Sequence, residues 1–182
     1  MKNLVILCFL ILSASVNAQT FSTEKLSVHI YAPAPISDIE ALTNTAFGSI
    51  DLIKKEVKVN IQVNSLSFKR ALMQQHFNEK HIESDKYPTA SFKGKFPNDL
   101  NLNVDSTYHL NIDGRLNLHG VNVNMVIPCN VLIKNKQINI KSEFKLKSKD
   151  FKIKTPAMLG KTVGEEIAVT VNGILSQNSE KY

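Results

Sequence analysis

The sequence predicts a mainly β chain: about eight antiparallel strands closed into an extended barrel, with one or two short helices. Three observations carry this expectation. Tyr108 to Leu118 alternates strictly, apolar on even positions apart from Gly114 and polar on every odd one. Such a period of two marks a strand with one dry and one wet face. The same alternation recurs along most of the chain. One stretch, Lys69 to Ile82, breaks it with good helix formers and neither Gly nor Pro.

Taken in chain order, Met1–Lys2–Asn3 is a short positive start, and Leu4 to Leu12 is unbroken apolar sequence. Ser13 to Ala18 then supplies small or aliphatic residues before a cut after Ala18. This is the three-part pattern of a secretory signal peptide, too short to span a bilayer. The expectation is a cleaved leader over residues 1–18 and one domain over 19–182. Leu26, Val28 and Ile30 alternate as a first strand. Ile36 to Leu42 reads as a short helix capped by Ser37 or Asp38, followed by a strand from about Phe47 to Ile53. Val57, Val59, Ile61 and Val63 alternate, and Leu66 and Phe68 sit on the opposite parity. A bulge near Ser65 accounts for that switch. In the helical segment Met73, Phe77 and His81 stand at i, i+4 and i+8, and Ser84 to Pro88 ends it. Ala90, Phe92 and Phe96 share a strand face.

Tyr108–Leu118 and Val121–Ile133 flank His119–Gly120 and read as one long hairpin. Ile138, Ile140, Phe144 and Leu146 alternate against Lys141, Glu143, Lys145 and Lys147. Ile167, Val169 and Val171 close the series. Dry faces of this kind must pack on something, as two sheets or as a closed barrel that removes unpaired edges. An eleven-residue strand at ~3.3 Å per residue is about 36 Å long, which favours an elongated barrel. An interior of about eight strands is either filled by side chains or holds one small ligand. Periodicity leaves both open.

Composition limits the function classes. The 182 residues are 43% hydrophobic and 21% charged, a globular balance rather than a disordered one. Two Cys, one inside the leader, exclude a disulfide-stapled scaffold and a Cys-rich zinc module. Cys129, flanked by Ile127 and Val131, is expected to be a buried, inert thiol. His76, Glu79, His81, Glu83 and Asp85 crowd together. But His76 and His81 lie about 500° apart on an α-helix, so they are not expected to share a face. No metal site and no catalytic constellation is predicted. There is no G-x-S-x-G, no phosphate loop and no H-E-x-x-H. His119, at a strand–turn junction, is expected to stabilise the turn.

Phe68 to Asn78, together with Glu83 to Gly94, resembles the YceI-like family. So does Gly114 to Val121, where the family carries a G-x-L-T-I-H-G-V strand and turn and this chain has Asn117 in place of the Thr. Phe144 to Ile153, with Asp150–Phe151, is similar to a late segment of that family. An Arg–Asp pair common in the family is Arg70–Ala71 here. The resemblance implies a lipocalin-like antiparallel barrel of periplasmic or secreted bacterial proteins. It also implies that polyisoprenoid or similar long amphiphiles bind in the barrel cavity.

A cavity for an apolar chain needs inward aliphatic and aromatic side chains. The candidates are Phe68, Leu72, Phe77, Phe92, Phe96, Leu110, Ile112, Leu116, Leu118, Val123, Met125, Ile140, Phe144 and Leu146. Arg70 is the headgroup candidate, as a fork donor. The alternative is a structural or protein-binding module whose interior those same residues fill. Lys141, Lys145, Lys147 and Lys149 share the wet parity of one strand. They form either a solvated face or a surface for anionic membrane. The expected function is non-catalytic carriage of an isoprenoid-like lipid, with no cofactor. The candidate partners are that lipid, an anionic membrane surface and a second copy of the chain, but not nucleic acid.

Overall fold

The computed structural model describes residues 20–35, 38–97, 99–155, 157–158, 161–162 and 164–177. The expected leader lies outside them. Eight strands close into one antiparallel barrel: β1 Thr20–Ala32, β2 Ile39–Asp51, β3 Glu56–Gln62, β5 Thr89–Lys95, β6 Ser106–Leu118, β7 Val121–Lys134, β8 Gln137–Lys147 and β11 Glu166–Gln177. They are joined in that order, and β11 pairs back onto β1. Short β4, Ser67–Phe68, adds to β2 beside Ala41 and Leu42. β9 Ala157–Met158 and β10 Lys161–Thr162 form a separate two-stranded ribbon. Helix α1, Ala71–His76, runs into a π-helical turn, Phe77–His81.

The alternation seen in the sequence is the physical reason for closure. Each strand has one apolar face, and the barrel turns all of these faces to one interior. The hairpin of β6 and β7 pairs without a break from Ser106↔Ile133 to Leu118↔Val121. Its two-residue turn, His119–Gly120, has φ of 52° and 71°. Two positive φ values match the twist of a tight hairpin, and Gly adopts them without strain.

Three local expectations are corrected. Ile39 to Leu42 is strand, not helix, while Ile36 and Ser37 lie outside the described residues. Residues Ile39–Leu42 pair in register with Ala32–His29, and this ladder outweighs the weak capping signal. The parity switch at Ser65 is a 3₁₀ turn over Val63–Ser65 rather than a bulge. That turn carries the chain from β3 to β4. The helix is also shorter than Lys69–Ile82 and changes type midway, with Ile82 N–H donating to Phe77 C=O at 2.9 Å.

A bulge does occur in β1, on either side of Leu26. It presents Leu26 to the interior between Gly48 of β2 and Gly173 of β11. A Cβ on either glycine would stand 2.3 Å from a Leu26 methyl. With Phe21, Val131, Ile133, Ile138 and Leu175, Leu26 packs the barrel end that holds the β7–β8 turn, all at 1% exposure or less. The other half of the barrel is packed differently. The β7–β8 ladder runs from Lys134↔Gln137 only to Asn130↔Lys141. Pro128 has no N–H to continue it, and Ser142 Oγ donates to the Pro128 carbonyl at 2.6 Å instead. The turn Ser148–Phe151 packs against β7 there, with Phe151 buried.

Candidate functional site

The half of the barrel above Leu26 is hollow. It holds a cavity of about 410 Å³, the room left because inward side chains from opposite walls do not meet. Val59, Ile61, Ile140, Phe144, Leu146 and Ile167 face it, and each is only half-buried although the sheet points it inward. The filled-interior alternative therefore fails for this half and holds for the other.

Of the candidates named from the sequence, Phe68, Leu72, Phe77, Phe92, Ile112, Leu116, Leu118, Ile140, Phe144 and Leu146 lie on the cavity lining. Four of the predicted residues do not. Phe96 and Leu110 belong to the packed end, 3% and 4% exposed. Val123 and Met125 face inward by parity but pack against the main core from the stretch of β7 that has left the β8 ladder. The remaining walls come from β1, β3 and β11, through residues such as Val28, Val59, Val169 and Val171. Their alternation was the signal that could have placed them on the same list.

The helix forms one side of the mouth. The side-chain oxygen of Gln74 accepts the Phe68 N–H at 3.1 Å, tying the first turn to β4. Met73 and Phe77 pack on Ala41, Leu66 and Phe68, and the Phe68 and Phe77 rings lie 4.8 Å apart. Leu72 is left 62% exposed at the lip. His76 and His81 both reach the cavity, against the helical-wheel expectation. The π turn is the reason: its i→i+5 bond brings residues five apart onto one side. His81 Nδ1 then donates to the Lys154 carbonyl at 2.8 Å, across the mouth.

Arg70 is exposed at this mouth and lines the cavity. Among the described residues, the charged or ionisable side chains on the lining are Arg70, His76, His81, Lys154, Tyr31 and Cys129, and no carboxylate is among them. Two wall serines, Ser142 and Ser148, are internally satisfied. Ser142 donates to Pro128 C=O, and Ser148 Oγ donates to the Gly164 carbonyl. Cys129 sits in the wall as a free thiol, pushed up to about 11 by burial, with the Lys141 backbone N–H acting against that shift. It is protonated at neutral pH and matches the inert thiol expected.

The Y-P and H-G motifs meet beside the cavity. His119 Nδ1 donates to Phe151 C=O at 3.0 Å, and Nε2 stands 3.3 Å from Glu83. Tyr87 packs edge-on against the imidazole at 4.5 Å. Lys86 bonds Glu83 at 2.6 Å, and with His119 it holds that carboxyl below its ordinary value. His119 thus fastens the β6–β7 turn to two other segments, the structural role the sequence suggested.

A YceI-like domain matches residues 15–174. The chain belongs to the YceI-like family. Solved structures agree with this YceI-like barrel in fold. A polyisoprenoid binding domain from Saccharophagus degradans superposes with a TM-score of 0.73 at 13% identity, covering 88% of this chain and 99% of that one. BcnA of Burkholderia cenocepacia gives 0.67 at 15% identity over 84% and 96%. A YCEI protein of Campylobacter jejuni gives 0.61 at 18% identity over 81% and 90%. Comparison with curated proteins finds no match. On the outer wall of this YceI-like domain Lys141, Lys145, Lys147 and Lys149 are exposed, and Lys141 and Lys145 pair with Glu143 and Glu166.

Proposed function

We propose that this YceI-like protein binds and carries a long-chain amphiphile, isoprenoid-like, with the tail inside the barrel and an anionic headgroup at the mouth. The observation that carries the reading is the cavity itself: apolar walls, a mouth with Arg70, His76, His81 and Lys154, and no acid among the described residues of the lining. The likeness in fold to the polyisoprenoid binding domain of Saccharophagus degradans supports the ligand class. Burying ten methylenes at ~0.8 kcal/mol each gives about 8 kcal/mol before ordering costs, the scale of micromolar binding.

Binding is non-covalent and needs no cofactor, and no catalytic step is assigned. The leader over residues 1–18 directs export, so the carrier works in the periplasm or outside the cell. The exposed lysines of β8 favour a transient approach to anionic membrane, where the tail is taken up. Titration with palmitate and farnesyl phosphate tests the reading. Saturable binding of both is expected, weakened about tenfold in Arg70→Ala by loss of a charge-assisted contact. Undetectable binding of either ligand to the folded wild-type chain would overturn it.

A further inference from the structure

We infer that the barrel measures tail length, and that Leu26 sets the limit at about sixteen carbons. This rests on the lipid-binding reading above and adds to it a length specificity. The barrel changes from hollow to solid between one inward-facing residue of β1 and the next. Val28 and Val171 are paired partners on neighbouring strands and both line the cavity. The next inward residue on β1 is Leu26, fully buried and outside the lining.

Leu26 is held by geometry that a simple alternating strand would not provide. The β1 register shifts on both sides of it, and the strands to either side offer glycine. With no side chain at Gly48 or Gly173, both backbones close on the leucine, whose methyls occupy the space their Cβ atoms would need. Close-packed interiors yield little to an added atom. An incoming tail therefore meets a fixed stop rather than a side chain free to swing aside.

The space above the stop fixes the count. A 150 Å³ apolar cavity holds benzene, about 25 Å³ per carbon. At that rate the 410 Å³ here takes about sixteen carbons. Carbons beyond that number stay at the open mouth in water and add nothing to affinity. A polyisoprenoid much longer than this is held by its terminal part alone.

The test is a titration of the full chain with saturated fatty acids from ten to twenty-two carbons, each kept below its aggregation limit. Affinity rises about fourfold per methylene up to about sixteen carbons and is flat beyond. In Leu26→Ala, which removes three carbons from the stop, the break moves up by about three. A rise that continues undiminished to twenty-two carbons in the wild type overturns the inference while leaving lipid binding intact. Absence of binding at every length overturns both. If Leu26→Ala does not fold, the wild-type series alone decides.

Discussion

His119 donates from Nδ1 to the carbonyl of Phe151 at 3.0 Å, joining groups 32 residues apart. The same ring meets Glu83 on its other side. One side chain therefore ties the β6–β7 turn, the turn after β8 and the segment after the helix into a single collar around the cavity mouth. Replacing it with Ala leaves the Phe151 carbonyl without this donor. His119→Ala is expected to lose about 1–3 kcal/mol, read by chemical denaturation. Gly120→Ala is expected to lose at least about 1–2 kcal/mol through its positive φ, and more because the new Cβ would stand 2.6 Å from Tyr87.

The collar has a defined response to acid. Lys86 first, then His119, depresses Glu83 below its ordinary 4.5. A carboxyl depressed on folding contributes stability above its unfolded-state value and loses it as pH falls through the folded value. The contribution is therefore complete at neutral pH and fades only below about 4.5. Melting curves from pH 7 to pH 3 should show this decline, and Glu83→Gln should remove its share.

Hollow and packed halves should respond oppositely to added bulk. Overpacking a filled core costs about 1–3 kcal/mol. Val131→Phe, in the packed end, is expected to pay that cost in a denaturation midpoint. Val59→Phe projects its ring into empty space and should change stability by less than about 1 kcal/mol while reducing ligand uptake.

Phe144 lines the cavity and is half-buried there. Phe144→Asp puts a carboxylate where a tail would lie, with no cation beside it on β8's inner face. Uptake of a fluorescent fatty acid should be abolished, because the tail would have to desolvate that charge. The circular dichroism spectrum should keep its β signature. Retained uptake in the folded variant would show that the tail does not pass this wall.

Most of the barrel was legible because its strands obey a two-residue period, and a closed sheet has only one place to put the dry parity. Cavity against core was not legible. Leu110 and Leu116 look alike in sequence, yet one packs the closed end and the other lines the void, because their height along the barrel decides. Val123 and Met125 departed because Pro128 interrupts a ladder, a long-range effect invisible to parity. His76 and His81 converged because the helix is π-wound at its end, which a wheel drawn at 3.6 residues per turn cannot show. Ile39 to Leu42 went to strand because its partner in β1 offered a full ladder. The motifs that carry the family resemblance, Lys86–Tyr87–Pro88 and His119–Gly120, proved to be spatial neighbours although 31 residues lie between Tyr87 and His119.

Native mass spectrometry of the full-length product, purified without detergent from the cells that make it, tests the central claim most directly. The account predicts a complex of one chain with one amphiphile, released on denaturation and refilled by palmitate. A bare mass that stays bare after incubation with palmitate and farnesyl phosphate would contradict it.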